Sequence, residues 1–167
     1  VSVCERMIEM ADLCNFHTVL EPSAGNGNIC DAIFNQGNID KSQIEVCEVS
    51  FQLRELLEIK GYNVVENDFM DLSLDKKYDR IIMNPPFCAD TEHIRKAYEH
   101  LKDGGILVSI ISTSAMQNTT KKYIEFREWL DTHDWMSERL ESGIFNDKKL
   151  LNRTMASSYI IVIQKDL

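Results

Sequence analysis

Several features are scarce or missing in this chain, and each absence removes a class of function. None of the five cysteines stands in a CxxC pair: Cys4, Cys14, Cys30, Cys47 and Cys88 are widely spaced. That spacing argues against a zinc knuckle and a disulfide framework, so no metal site is expected. Free thiols fit a reducing, cytoplasmic setting. No apolar run approaches the ~20 residues of a membrane span. No basic segment followed by an apolar stretch opens the sequence, so no secretory leader is expected. Internal repeats, low-complexity tracts and linker-like segments are missing, so the 167 residues read as one domain with a proper core. Positive charge is in short supply, with 18 Lys and Arg against 27 Asp and Glu and a net charge of −9. That balance disfavours a protein that grips nucleic acid by charge alone. The deficit is uneven: residues 1–120 hold 10 basic and 19 acidic side chains, and residues 121–167 hold 8 of each.

Proline is also scarce, at three residues, and two of them are adjacent in Asn84-Pro85-Pro86-Phe87. This tetrapeptide follows the strand-like run 78–83. The Asn84 amide oxygen and the Pro85 carbonyl can both accept hydrogen bonds from an exocyclic NH2 group. Proline removes a backbone donor and stiffens the loop. Phe87 offers a face for stacking on a base. A plainer reading makes the segment a rigid strand-end turn with a buried ring.

The rest of the chain alternates strand and helix signals. Strands are expected over 17–21, 43–48, 62–66, 78–83, 106–111, 135–141 and 158–164. Helices are expected over 3–14, 29–36, 51–60, 91–102 and 120–131, with Gly104-Gly105 stopping the fourth. The segments 112–120 and 142–157 are polar and read as loops. Such alternation predicts a mostly parallel sheet with helices on both faces. Ligands of open α/β sheets sit beyond the carboxyl ends of the strands, near the topological switch point. Gly25-Asn26-Gly27 stands after the first strand and lacks the third glycine of the dinucleotide fingerprint. Glu48 follows Gly27 by 21 residues, the place of an acid that grips a ribose diol. Asp68-Phe69 ends the third strand and could bond an adenine amine and stack on its ring. Each has a bland alternative: a cap for Glu48, a turn former for Asp68, core for Phe69. The four strand-end signals together are stronger than any one of them.

Leu20-Glu21-Pro22-Ser23-Ala24-Gly25-Asn26-Gly27 with Asn84-Pro85-Pro86-Phe87 resembles the class I S-adenosylmethionine-dependent methyltransferases. It is most similar to the amino-directed branch that methylates adenine N6 in DNA. The resemblance spans about residues 17–165. It implies a Rossmann-like, seven-stranded, mostly parallel sheet with an antiparallel last strand. It implies S-adenosylmethionine as cofactor, held by Glu21, Pro22, Ala24, Gly25, Gly27, Glu48, Val49, Asp68, Phe69 and Asn84. Asn84, Pro85 and Phe87 would hold the target base for catalysis, with Pro86 beside it. Lys121, Lys122, Lys148, Lys149 and Arg153 would form a phosphate-contacting rim, although solvated loop lysines are the ordinary reading. The Asn-Pro-Pro-aromatic motif is shared with methyltransferases of ribosomal RNA guanine and of protein glutamine. A non-catalytic subunit of the same fold is the alternative from another class. The chain departs from the family pattern at Val3-Cys4-Glu5, where a Thr-Pro often stands. It also has no room for a separate target-recognition domain. Specific DNA recognition would then fall to loops 112–122 and 142–155, to a further region, or to a partner subunit.

Overall fold

Short β-branched runs bounded by turn residues form seven strands in the computed structural model, which describes residues 2–141 and 157–167. They are β1 (Val19–Glu21), β2 (Ile44–Cys47), β3 (Asn63–Glu66), β4 (Tyr78–Met83), β5 (Leu101–Ser112), β6 (Asp134–Glu141) and β7 (Ser157–Gln164). They make one sheet in the order β3-β2-β1-β4-β5-β7-β6. β1 to β5 run parallel to one another. The last strand, β7, runs antiparallel to both β5 and β6. The expected α/β architecture and its antiparallel last strand are therefore what the chain adopts.

The helices are α1 (Val3–Ala11), α2 (Asn28–Gln36), α3 (Phe51–Ile59), α4 (Asp90–Glu99), α5 (Thr113–Gln117) and α6 (Lys121–Leu130). They cover both sheet faces, as parallel strands require. Successive strand residues point to opposite faces. Ile82 and Ile160 pack with Met7, Ile33 and Leu57 of α1, α2 and α3. Their neighbours Ile81 and Ile161 pack with Ile94, Phe126 and Leu130 of α4 and α6. All ten are buried, each removing apolar surface worth about 1.5–3 kcal/mol.

Two local expectations are corrected. The fourth helix ends at Glu99, with His100 as its cap, rather than at 102. Leu101 already pairs with Tyr78 in the sheet, so Gly104-Gly105 lies inside the irregular start of β5 and stops no helix. Gly104 takes φ +72° and its N–H reaches Lys165 O and Asp166 O, both at 3.1 Å. A long-range pairing overrides the local stop signal there. Within the polar 112–120 segment, Thr113–Gln117 forms a short helix, because the Ser112 hydroxyl caps the Ala115 N–H at 3.2 Å. No helix among the described residues is long and apolar enough to cross a membrane.

Candidate functional site

The strand order reverses between β1 and β4, which places a crevice at their carboxyl ends. A cavity of about 260 Å³ lies there. Four strand-end turns supply its walls: Pro22 and Ser23 after β1, Glu48 and Val49 after β2, Asn67 to Phe69 after β3, and Asn84 and Pro86 after β4. His93 of α4 completes it. Parallel register brings these turns together, although up to 64 residues of sequence separate them. A second cavity, of about 180 Å³, sits at the amino ends of the strands beside Thr18, Glu45 and Lys76. There Glu45 already accepts from Lys76 at 3.0 Å and from the Tyr78 hydroxyl at 2.5 Å, so its polar groups are committed.

The glycine-rich turn is fixed by the Glu48 carboxylate. Glu48 Oε2 accepts the Gly25 N–H at 2.8 Å, and its Oε1 accepts the Ser50 N–H at 2.8 Å. Each oxygen keeps a second acceptor site for a ligand hydroxyl. The Ala24 N–H donates to Cys47 O at 3.1 Å, which ties the same turn to β2. Gly25 and Gly27 take φ +56° and +86°, the left-handed region that glycine enters at little cost. A side chain at Gly27 would meet Leu57 Cδ2 at 3.0 Å, so packing of α3 accounts for that glycine. Gly25 instead faces open space. Neither glycine, nor Ala24, is among the residues that line the cavity.

Glu21 closes β1 and is fully buried. Its Oε1 accepts the Ser23 N–H at 2.8 Å. Its Oε2 has no hydrogen-bond partner among the described residues. Burial pushes the carboxyl up to about 8, the Glu48 charge adds to the rise, and the Ser23 hydrogen bond opposes it. At neutral pH Glu21 is thus a neutral acid with one oxygen uncommitted.

The other expected residues fall into three groups. Val49 is 70% exposed, and Asp68 is exposed with Oδ1 accepting the Met70 N–H at 2.9 Å, which leaves its other oxygen for a ligand. Phe69 lines the cavity but is 2% exposed, its ring set against His93 and His100 with centroids 5.8 and 5.5 Å apart. Little of its face remains for a second stacking partner. Asn84 is half-buried, and its amide makes no hydrogen bond with any described residue. Pro85 is buried and Pro86 exposed, while Phe87 is half-buried against the α1 side of the core. Of the lysine rim, Lys121 lies 3.7 Å from Glu125 and Lys122 lies 3.0 Å from Glu92. Lys148, Lys149 and Arg153 lie outside the described residues. Ser23, Asn67 and His93 line the cavity without having been singled out in the sequence. For Asn67 the signal was its place beside Asp68 at a strand end, whereas His93 left none.

The chain is similar to several known proteins. The family model of the methyltransferase small domain matches residues 8–136. A curated relative, malonyl-[acyl-carrier protein] O-methyltransferase of Calditerrivibrio nitroreducens, is 27% identical over 143 residues, covering 77% of this chain and 56% of the relative. A protein assigned as the modification subunit of a type I restriction enzyme of Vibrio vulnificus has the same fold, with a TM-score of 0.71 at 15% identity. The match covers 98% of this chain and 43% of that one. A protein assigned as a class I S-adenosylmethionine-dependent methyltransferase of Listeria monocytogenes matches with a TM-score of 0.69 at 15% identity, over 99% of this chain and 58% of the other. The chain therefore spans about half the length of these proteins. It belongs to the methyltransferase small domain family.

Proposed function

We propose that this domain transfers the methyl group of S-adenosylmethionine to the exocyclic N6 amine of adenine in DNA. The observation that carries the reading is the position of Asn84-Pro85-Pro86-Phe87. It stands at the carboxyl end of β4, with Asn84 and Pro86 in the wall of the cavity that Pro22, Ser23, Glu48 and Asp68 also line.

The residues fit the cofactor. Pro22 and Ser23 line the end suited to an amino acid, with the buried, neutral Glu21 bonded to the Ser23 N–H. Glu48 faces the cavity with acceptor capacity for ribose hydroxyls. Val49, Asp68 and Phe69 frame the adenine end. S-adenosylmethionine supplies an electrophilic methyl group, so the chain needs no covalent intermediate. An adenine amine is a weak nucleophile because its lone pair is delocalised into the ring. Asn84 Oδ1 and the Pro85 carbonyl accept hydrogen bonds from its two N–H groups and favour the tetrahedral nitrogen of the transition state. As the N–CH3 bond forms and the S–CH3 bond breaks, the amine sheds one proton to solvent. A base in duplex DNA must be flipped out to reach this loop, and the exposed part of Phe87 then stacks on it.

The net charge of −9 favours recognition by a basic region beyond this domain or by a partner subunit. Lys121 and Lys122 contribute locally, since surface ion pairs of this kind are weak and exchange readily for phosphate. Parallel assays with DNA, RNA and protein as methyl acceptors test the reading. DNA is expected to take up the methyl group, and uptake confined to RNA or protein would refute DNA as the acceptor.

A further inference from the structure

The cavity is lined by side chains to which neither motif assigns a role, and His93 is the one with a ring nitrogen to offer. His93 stands in the first turn of α4, six residues after Phe87, and lines the cavity between the Asp68-Phe69 turn and the Asn84-Pro86 loop. Its Nδ1 lies 2.9 Å from Ala89 O. A carbonyl oxygen accepts only, so Nδ1 carries the ring proton. In the neutral ring Nε2 is then an acceptor, and it makes no hydrogen bond with any described residue. The ring packs against Phe69, with centroids 5.8 Å apart and planes tilted by 40°. That contact ties His93 to the end of β3 rather than to the glycine-rich turn.

We infer that His93 determines nucleobase specificity at the cofactor's adenine end, with Nε2 accepting a hydrogen bond from the 6-amino group. The inference rests on the S-adenosylmethionine reading above. An adenine amine offers two protons. Asp68 has one uncommitted carboxylate oxygen, and Nε2 supplies a second acceptor from the neighbouring wall. A base carrying a 6-oxo group would set an oxygen against Nε2 and leave both acceptors unpaired. Sites built to bond an NH group reject the analogue that lacks it for this reason.

Calorimetric titration with S-adenosylhomocysteine and with S-inosylhomocysteine tests the assignment. The unaltered protein is expected to prefer the adenosyl compound by at least about tenfold. His93→Phe keeps a ring against Phe69 and removes the acceptor. It should weaken the adenosyl compound about tenfold, leave the inosyl compound within about twofold, and so narrow the preference. His93→Gln restores an acceptor oxygen, and it should keep a preference wider than that of the Phe variant. A preference unchanged in both variants would overturn the inference, including the case in which His93 serves the target base instead. Binding of neither compound by the unaltered protein would overturn the cofactor reading and this inference with it.

Discussion

Asn84→Ala is expected to lower kcat for methyl transfer by about 10²–10³-fold while the affinity for S-adenosylmethionine changes little. The Asn84 amide is half-buried in the cavity wall and makes no hydrogen bond with any described residue, so its removal disturbs no internal network. In the proposed arrangement the methionine, ribose and adenine ends of the cofactor rest mainly on the turns after β1, β2 and β3. The loss therefore falls on the step in which the amine nitrogen becomes tetrahedral, where two acceptors rather than one hold its protons. Single-turnover kinetics with preloaded cofactor separate that step from binding. Intact turnover in the variant would remove Asn84 from the chemistry, and a matching loss of cofactor affinity would make it a binding residue only.

The second large effect concerns stability. Glu21 has a carboxyl at about 8 in the folded chain against an ordinary value of 4.5. Between these values the folded protein holds a proton that the unfolded chain releases. The contribution is thus fully present below pH 4.5 and is lost as pH rises through 8, with a slope of up to about 1.4 kcal/mol per pH unit. His17 and His100 titrate in the opposite sense, since burial holds both below their ordinary value, and their contribution grows as pH rises toward that value and is complete above it. Comparison with Glu21→Gln isolates the carboxyl, because Gln keeps the Ser23 hydrogen bond and cannot ionise. The variant should match the native chain near pH 5 and exceed its stability by about 3–4 kcal/mol near pH 8. Urea denaturation across this range reads the difference, and parallel curves for the two proteins would refute a neutral Glu21.

Much of this was legible in the sequence, for physical reasons. The apolar runs at 78–83, 106–111 and 158–164 announced the middle of the sheet, because strands buried on both faces read as continuous hydrophobic segments. The strand-end motifs announced the cavity, because parallel register gathers the carboxyl ends on one side. Tertiary pairing decided what was missed. Leu101 enters the sheet because Tyr78 lies beside it, and no local signal reports that. Aromatic residues at strand ends were ambiguous in the same way: Phe69 and Phe87 both turn substantially into the core, where a ligand-facing ring was also compatible with the pattern. His93 looked like any polar residue in an amphipathic helix until α4 was set against the end of β3. Gly27 was readable as a required glycine, but the presence of Leu57 opposite it was not.

The central claim is tested most directly by incubating the protein with unmethylated DNA and S-adenosylmethionine labelled in its methyl group, then digesting the DNA to nucleosides. The account predicts label in N6-methyldeoxyadenosine. Label in any other nucleoside, or none while calorimetry shows the cofactor bound and recognition subunits are supplied, would contradict it.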